Sequence, residues 1–390
     1  MKIAIMMRAM DQDSGFRAIT EHLVEAMLRV GVSHSYLLLY RTAKWFGRFA
    51  TFGNAKEVVV KAPHKIVWDQ VAVPFKAWNE GAEVIFNPKF SIPLISSCPV
   101  AMGLQEPAWW VWPQHYERWN VWYQKIMMPL YCRKASHLFP NSQFILQENQ
   151  KYLPVSARKC TVVYSAPGAH FRPIDDRAAL KQTRDQHALP ERFILCVTRV
   201  DHPGLEKSTS FHGGKNIETA VRAFDLIRDR IPHTLVIAGR RVREYLAHAG
   251  LSDGDLKNVR ILGFVTREEM ANIYNLAEIF VIPSFYEGCP STLLEAMACG
   301  LPVVSSETGA CPDVSGGAAI LANPYDPADF AEKIMQLLEN SNLRQEFKAK
   351  SLARASQFSW EISAKLVLKA LARAIAYRSK LVDPLESVST

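Results

Sequence analysis

The sequence predicts an α/β protein made of two doubly wound domains, and three observations carry that prediction. Short β-branched runs alternate with amphipathic stretches along the chain, a polar stretch bounded by prolines interrupts the alternation near the middle, and 390 residues suffice for two separate cores. A hydrophobic content of 48% with 22% charged residues is that of an ordinary globular protein rather than a disordered one.

The first series runs KIAIMM, a helix over Phe16 to Val30, SYLLLY, EVVVK, EVIFNP and PVAMGL. A helix over Tyr116 to Arg133, SHLFP, a helix over Ser142 to Leu153 and TVVYS complete it. Such alternation predicts a parallel sheet flanked by helices. The stretch SAPGAHFRPIDDRAALKQTRDQHALPERF reads as the linker. A second series follows: FILCVTR, a helix over Asn216 to Arg228, HTLVIAG, Arg241 to His248, VRILGF, Glu268 to Asn275 and AEIFVIP. A further helix, PVVSS, AAILA and C-terminal helices from Pro327 onward close the second domain. The last segment, FSWEISAKLVLKALARAIAYRSKLV, reads as a long amphipathic helix with Ile362, Leu366, Leu368, Leu371 and Ile375 on its apolar side. No solenoid repeat or low-complexity tract interrupts this order.

Seven scattered cysteines, odd in number and without C-x-x-C spacing, fit a reducing cytoplasm, mostly as small apolar core residues. MKIAIMMRAM is too short and too soon charged for a signal peptide, and no run of eighteen apolar residues occurs. The expected location is cytoplasmic, extending to the inner face of the plasma membrane. A formal charge of +8 favours anionic partners such as nucleotide-sugars, lipid diphosphates or a membrane surface. Nucleic acid is not expected, since no basic block with interleaved aromatics, helix-turn-helix pattern or zinc finger is present.

The richest segment is FYEGCPSTLLEAMACGLPVV, Phe285 to Val304. AEIFVIP has the length and composition of a buried parallel strand, and Leu293, Leu294, Met297 and Ala298 follow helical spacing. Gly288 lets the chain turn closely, Pro290 suits the first helical turn, and Gly300 with Pro302 marks the helix end. The amides of Cys289, Ser291 and Thr292 then point out of a helix N-terminus, where a phosphate is stabilised by unpaired N–H groups and the helix dipole. Glu287 can accept hydrogen bonds from sugar hydroxyls and Glu295 from a ribose diol. The plainer alternative makes Thr292-x-x-Glu295 a capping box. It is disfavoured because the proline and Gly288 start the helix before Thr292.

The segment resembles the signature of the retaining family-four glycosyltransferases (glycosyl transferases group 1), a Glu, seven residues, a second Glu, then A-M-A-x-G-x-P-V-V. The resemblance implies the GT-B fold, two Rossmann-like domains facing each other across a cleft. It implies an acceptor domain at 1–168 and a nucleotide-sugar domain at 169–361, with the helix of about 362–390 packing back on the first. Glu287 would contact the donor sugar and Glu295 the ribose. Arg199, after FILCVT, and Lys215, in GGKNIETAVRAF, match the family's pair of cations on the donor diphosphate, which removes the need for a divalent metal. No cofactor is implied beyond the nucleotide diphosphate sugar as co-substrate.

Fifteen residues separate Arg199 from Lys215 where the family has only a few, so Lys207 is a rival for the phosphate. Lys215 is preferred because KNIETAVRAF continues into a helix as the family's pattern does. His202 and His212 in that loop lack nearby carboxylates or cysteines and do not suggest metal. Gly15, in Asp13-Ser14-Gly15, sits where the family has a glycine turn facing the diphosphate, and Gly239 and Gly263 match turns lining the nucleotide pocket. Gln105 stands where the family commonly has a histidine near the donor sugar, with His115 the candidate if the alignment is shifted. Five tryptophans follow within fourteen residues. Trp109, Trp110 and Trp112 are read as acceptor contacts, and the cluster as sugar-stacking faces or a membrane-interface edge for peripheral contact.

The expected activity is a retaining transfer of a hexose from a nucleotide diphosphate sugar to a glycan or lipid-linked glycan, in cell-surface polysaccharide synthesis. The alternatives are a nucleotide-sugar epimerase on the same architecture and a silent module that binds a nucleotide or glycan.

Overall fold

The structure, a computed structural model, describes residues 1–12, 15–198 and 213–382. The described chain divides into two units, one of 1–111, 118–165 and 359 onward, the other of 112–117 and 166–358.

In the first unit, β1 (Lys2–Met6), α1 (Gly15–Val30), β2 (Ser35–Tyr40) and β3 (Ala55–Val59) are followed by α2 (Lys65–Val67), α3 (Val73–Asn79), β4 (Val84–Asn87) and β5 (Val100–Leu104). Then come α4 (Ala108–Val111), α5 (Arg118–Lys134), β6 (His137–Pro140) and α6 (Gln143–Tyr152). The six strands are parallel and ordered β3-β2-β1-β4-β5-β6. Both faces are covered by helices, so the central strands are apolar on nearly every residue, as in IAIM and VIF, with Asn87 at the end of β4 polar. Ile3, Ile5, Leu38 and Phe86 from the sheet meet Leu23, Val24 and Met27 from α1 in one core.

The second unit holds α7 (Arg177–Gln186), β7 (Phe193–Val197), α8 (Ile217–Asp225), β8 (Thr234–Ala238), α9 (Val242–His248), β9 (Val259–Gly263) and α10 (Arg267–Leu276). It continues with β10 (Ile279–Ile282), α11 (Ser291–Ala298), β11 (Val303–Ser306), α12 (Cys311–Ser315), β12 (Ile320–Ala322), α13 (Pro327–Glu339) and α14 (Ser341–Ala355). Its parallel sheet is ordered β12-β11-β10-β7-β8-β9, the winding of the first sheet repeated. Ile194, Ile237 and Val281 pack there with Val221 and Phe224 of α8 and Phe330 and Ile334 of α13.

The final helix, α15 (Trp360–Val382), belongs to the first unit. Ser363 Oγ donates to Tyr164 O at 2.8 Å, and Trp360 stacks on His22 of α1 with ring centroids 5.6 Å apart. Its buried stripe is Ala364, Val367, Leu368, Leu371 and Ala374. That corrects the expected apolar side, since Ile362 and Leu366 are exposed. Small alanines let α15 approach closely, so the face that packs is not the one with the largest side chains.

Three further expectations change. The linker is not irregular throughout, because Asp176 accepts from the amides of Ala178 and Ala179 at 3.0 Å and so starts α7, which packs on α10. TVVYS forms no strand of its own. The residue before it, Cys160, makes one bridge to Leu138, and Thr161 and Val163 donate to the edge of β6. A helical stretch over residues 65–79 was not among the expected elements. It forms with a π turn over Trp68–Ala72 joining α2 to α3, in which Val73 N–H reaches back five residues to Trp68 O.

Candidate active site

The second sheet reverses its order between β7 and β10, and beyond the carboxyl ends of those strands parallel sheets of this kind hold their ligands. The chain leaves β10 through Pro283 and Ser284 and brings Glu287 there, only 8% exposed. Lys215 arrives from the segment before α8. Its Nζ donates to Glu287 Oε1 at 2.7 Å, and Ser284 Oγ donates to the same oxygen at 2.8 Å. The two sequence-predicted residues, 72 positions apart, thus share one contact.

The backbone around this pair is fixed from three sides. Phe285 N donates to Gly214 O at 2.7 Å, which holds the turn after β10 against the residue before Lys215. Asn216, buried and left-handed at φ 49°, is the N-cap of α8. Its Nδ2 donates to Pro283 O at 2.8 Å and Pro324 O at 2.7 Å, and its Oδ1 accepts from Thr219 Oγ1 at 2.8 Å. On the far side, Ala310 N donates to Glu287 O at 2.9 Å, and Gly309 has φ +63°. A Cβ on Gly309 would lie 2.7 Å from Glu287 N, so only glycine admits this approach.

Helix α11 opens beside Glu287. Pro290 is its N-cap, not a residue of the first turn as expected, and no side chain caps it. The first intrahelical bond is Leu294 N to Pro290 O, so the amides of Ser291 and Thr292 have no acceptor in the helix, while Cys289 and Gly288 lie in the turn that leads into it. The capping-box alternative fails on the same ground, and Glu295 is turned to other use. Its Oε2 accepts from Tyr274 OH at 3.2 Å, and burial pushes its carboxyl up to about 7, against the opposing hydrogen bond. Gly239 ends β8 with its amide on Gly263 O at 2.8 Å, and a Cβ there would meet Thr198 O at 2.3 Å. Phe264, after Gly263, lies under the Arg240 guanidinium at 4.2 Å.

In the first unit, Gly15 begins α1, and a Cβ on it would meet nothing within 4 Å. Gln105 follows β5 and is 8% exposed. Its backbone O accepts from Asn149 Nδ2 at 2.8 Å, while its side-chain Oε1 is buried with no hydrogen-bond partner among the described residues. The three tryptophans meet different aromatic neighbours. Trp109 is buried edge-on to Phe90 at 5.0 Å, and Trp110 lies against Tyr152 at 6.4 Å. Trp112 belongs to the second unit and meets Tyr286, next to Glu287, edge-on at 4.4 Å. Arg199, Lys207, His202, His212 and Asp13-Ser14 lie outside the described residues. Among the described residues no group of three metal-ligating side chains comes together.

Sequence reasoning missed Asn216, Ser284, Gly309 and Tyr286 around Glu287, and a second polar group in the first unit. There Arg8 after β1 donates to Asp69 Oδ2 and Ser91 Oγ, each at 3.2 Å. Lys89 after β4 donates to Gln12 Oε1 at 2.6 Å between the rings of Phe16 and Phe90. Burial, and then the Arg8 charge, bring the Lys89 ammonium down to about 7. The signal available was position: both cations follow the two strands at which the first sheet reverses its order.

Residues 208–340 match the model of the family described as glycosyl transferases group 1. The chain is 29% identical over 250 residues to the serotype-specific mannosyltransferase WbdA of Escherichia coli, covering 62% of this chain and 29% of that protein. It is 38% identical over 154 residues to the O-antigen chain mannosyltransferase B of Escherichia coli, covering 38% of this chain and 40% of that protein. The chain thus spans less than half the length of these relatives. Among solved structures, a glycosyltransferase from Rickettsia africae superposes with a TM-score of 0.74 at 12% identity, over 96% of this chain and 98% of that one. The Anabaena protein HepE in complex with UDP and glucose gives a TM-score of 0.70 at 16% identity, over 96% of this chain and 100% of that one.

Proposed function

The chain belongs to the group 1 glycosyltransferases of GT-B fold, and from that premise we propose that it moves a hexose, with retention, from a nucleotide diphosphate sugar to a hydroxyl of a glycan or lipid-linked glycan acceptor. The setting we propose is cell-surface polysaccharide synthesis, in keeping with the O-antigen relatives. The second unit takes the donor and the first the acceptor.

One observation carries the reading: the Lys215–Glu287 contact beside the open first turn of α11. A diphosphate at that turn receives the amides of Ser291 and Thr292, the helix dipole and the Lys215 ammonium, joined by Arg199. Glu287 then accepts hydrogen bonds from the sugar's hydroxyls, and Glu295 from the ribose. The bond from C1 to the diphosphate oxygen breaks as negative charge builds on the leaving group, where fixed cations and amides stabilise it most. The acceptor hydroxyl closes the new bond on the same face, and its proton goes to the departing phosphate oxygen, so no separate protein base is assigned.

Gln105 and the three tryptophans remain donor-sugar and acceptor contacts in this proposal. The test is a thermal-shift panel of UDP, GDP, ADP and TDP with their hexose conjugates, mannosyl ones first, because a ligand of the folded state alone raises the melting temperature. A sugar conjugate that shifts more than its free nucleotide identifies the donor; no shift with any of them in folded protein overturns the assignment. With the donor known, Glu287→Ala lowers turnover by about a hundredfold or more while nucleotide binding stays largely intact. Unchanged turnover in that variant sinks the role of Glu287.

A further inference from the structure

The first unit carries an apolar face that its own core does not use. In the helical stretch over 65–79, Val67, Val71, Phe75 and Trp78 recur at helical spacing and all are exposed, Phe75 by 64% and Trp78 by 62%. Their opposite side is buried through Trp68, Val73 and Ala77. Helix α5 repeats the pattern with Trp119, Trp122, Ile126 and Leu130, of which Trp122 is 69% exposed. The two helices touch, since Lys65 Nζ sits 5.6 Å over the Trp119 ring and Gln70 Nε2 donates to Tyr131 OH at 3.4 Å. Gln70 also accepts from Leu94 N at 2.9 Å, which brings in the loop bearing the exposed Ile95. Scattered apolar side chains on a surface need no explanation, but two adjoining helical stripes with three indoles do.

Charge decides what covers this face. Over Arg118–Lys134, α5 has four cations, Arg118, Lys125, Arg133 and Lys134, and no carboxylate. In the stretch over 65–79 the one acid, Asp69, is buried on Arg8, and Glu80 just beyond it is held by Lys56 and Lys76. An apolar stripe of Trp, Phe and Ile edged by Lys and Arg is the make-up of a helix face that lies in the boundary between headgroups and acyl chains. No described helix is long and apolar enough to cross a membrane.

We propose that the face formed by residues 65–79 and α5 docks the protein on an anionic lipid bilayer, with the indoles at headgroup depth and the α5 cations on the lipid phosphates. The inference deepens the lipid-linked acceptor of the proposed function by supplying its surface. It rests on that reading only for its purpose, not for its test.

The experiment is flotation of the full chain with vesicles of equal parts phosphatidylcholine and phosphatidylglycerol, beside vesicles of phosphatidylcholine alone. The chain should float with the mixed vesicles, with Trp emission moved to shorter wavelength. Binding should fall at least tenfold on phosphatidylcholine alone and at high salt, where the charge is screened. Phe75→Ser with Trp78→Ser, on exposed positions, should weaken binding at least tenfold, and Lys125→Ala about fivefold. No flotation, equal binding to both vesicles, or full binding by the double variant overturns the proposal. So does a dimer in sedimentation without lipid that the double variant abolishes, which would give the face to a second copy. Nucleotide-sugar thermal shifts in the double variant should match the wild type. A wild type that floats without any such shift would fault the donor reading and leave this one standing.

Discussion

Burial pushes the Glu295 carboxyl up to about 7, so near neutral pH the group is poised between its two forms. A carboxyl raised in the folded state above its usual 4.5 favours folding below that value, and the contribution is lost as pH rises through about 7. Glu295→Gln should therefore melt higher than the wild type at pH 8 and alike at pH 4, which a pair of melting curves checks. A ribose diol donates to the ionised form, so nucleotide binding should release a proton near pH 7 and tighten as pH rises toward it. Calorimetry in two buffers of different ionisation enthalpy measures that proton, and Glu295→Gln should abolish it. Glu287, Lys215 and Glu295 were legible in the sequence because they lie in spaced patterns with a helix start between them. Ser284 and Asn216 were not, since a serine at a strand exit and an asparagine before a helix have many ordinary uses, and only the fold brings their side chains onto Glu287 Oε1 and Pro283 O.

At the level of elements, the turn after β10 is held by a neighbour that sequence spacing does not reveal. Gly309 lies 22 residues beyond Glu287, between β11 and α12, and its left-handed backbone packs against the Glu287 amide. Gly309→Ala should cost about 1–3 kcal/mol, from the strained φ and the displaced turn together. Chemical denaturation reads the first effect, and a fall in turnover larger than the fall in donor affinity reads the second. A stability equal to wild type would mean that the turn moves freely and does not position Glu287. The strands were readable because a parallel sheet covered on both faces leaves long apolar runs. The stretch over 65–79 was not, because its helical period is split between a buried side and an equally apolar exposed side, which hides the amphipathic pattern.

For the molecule as a whole, two sheets of the same winding were foreseeable from the alternation of runs, while the division of the chain was not so simple. Residues 112–117 fall in the second unit, which the alternation did not suggest, and 359–382 fall in the first, on which the resemblance has the last helix packing. Leu371, fully buried in the first unit's core, makes this testable. Leu371→Ala should destabilise that unit by about 2–5 kcal/mol. Hydrogen exchange should then rise in β1, α1 and β2 with β10 and α11 left protected; equal loss of protection in both units would refute the assignment of α15.

The same helix sets an order in time. A ribosome delivers β1 and α1 first, but α15, which packs on α1 and beside β6, follows all of 166–358. At ordinary elongation rates that delay is on the order of ten to forty seconds. The later-made unit can thus close before the earlier one, which meanwhile waits in the cell with the side of α1 that α15 will cover left open, a nascent chain for which chaperones are the natural cover.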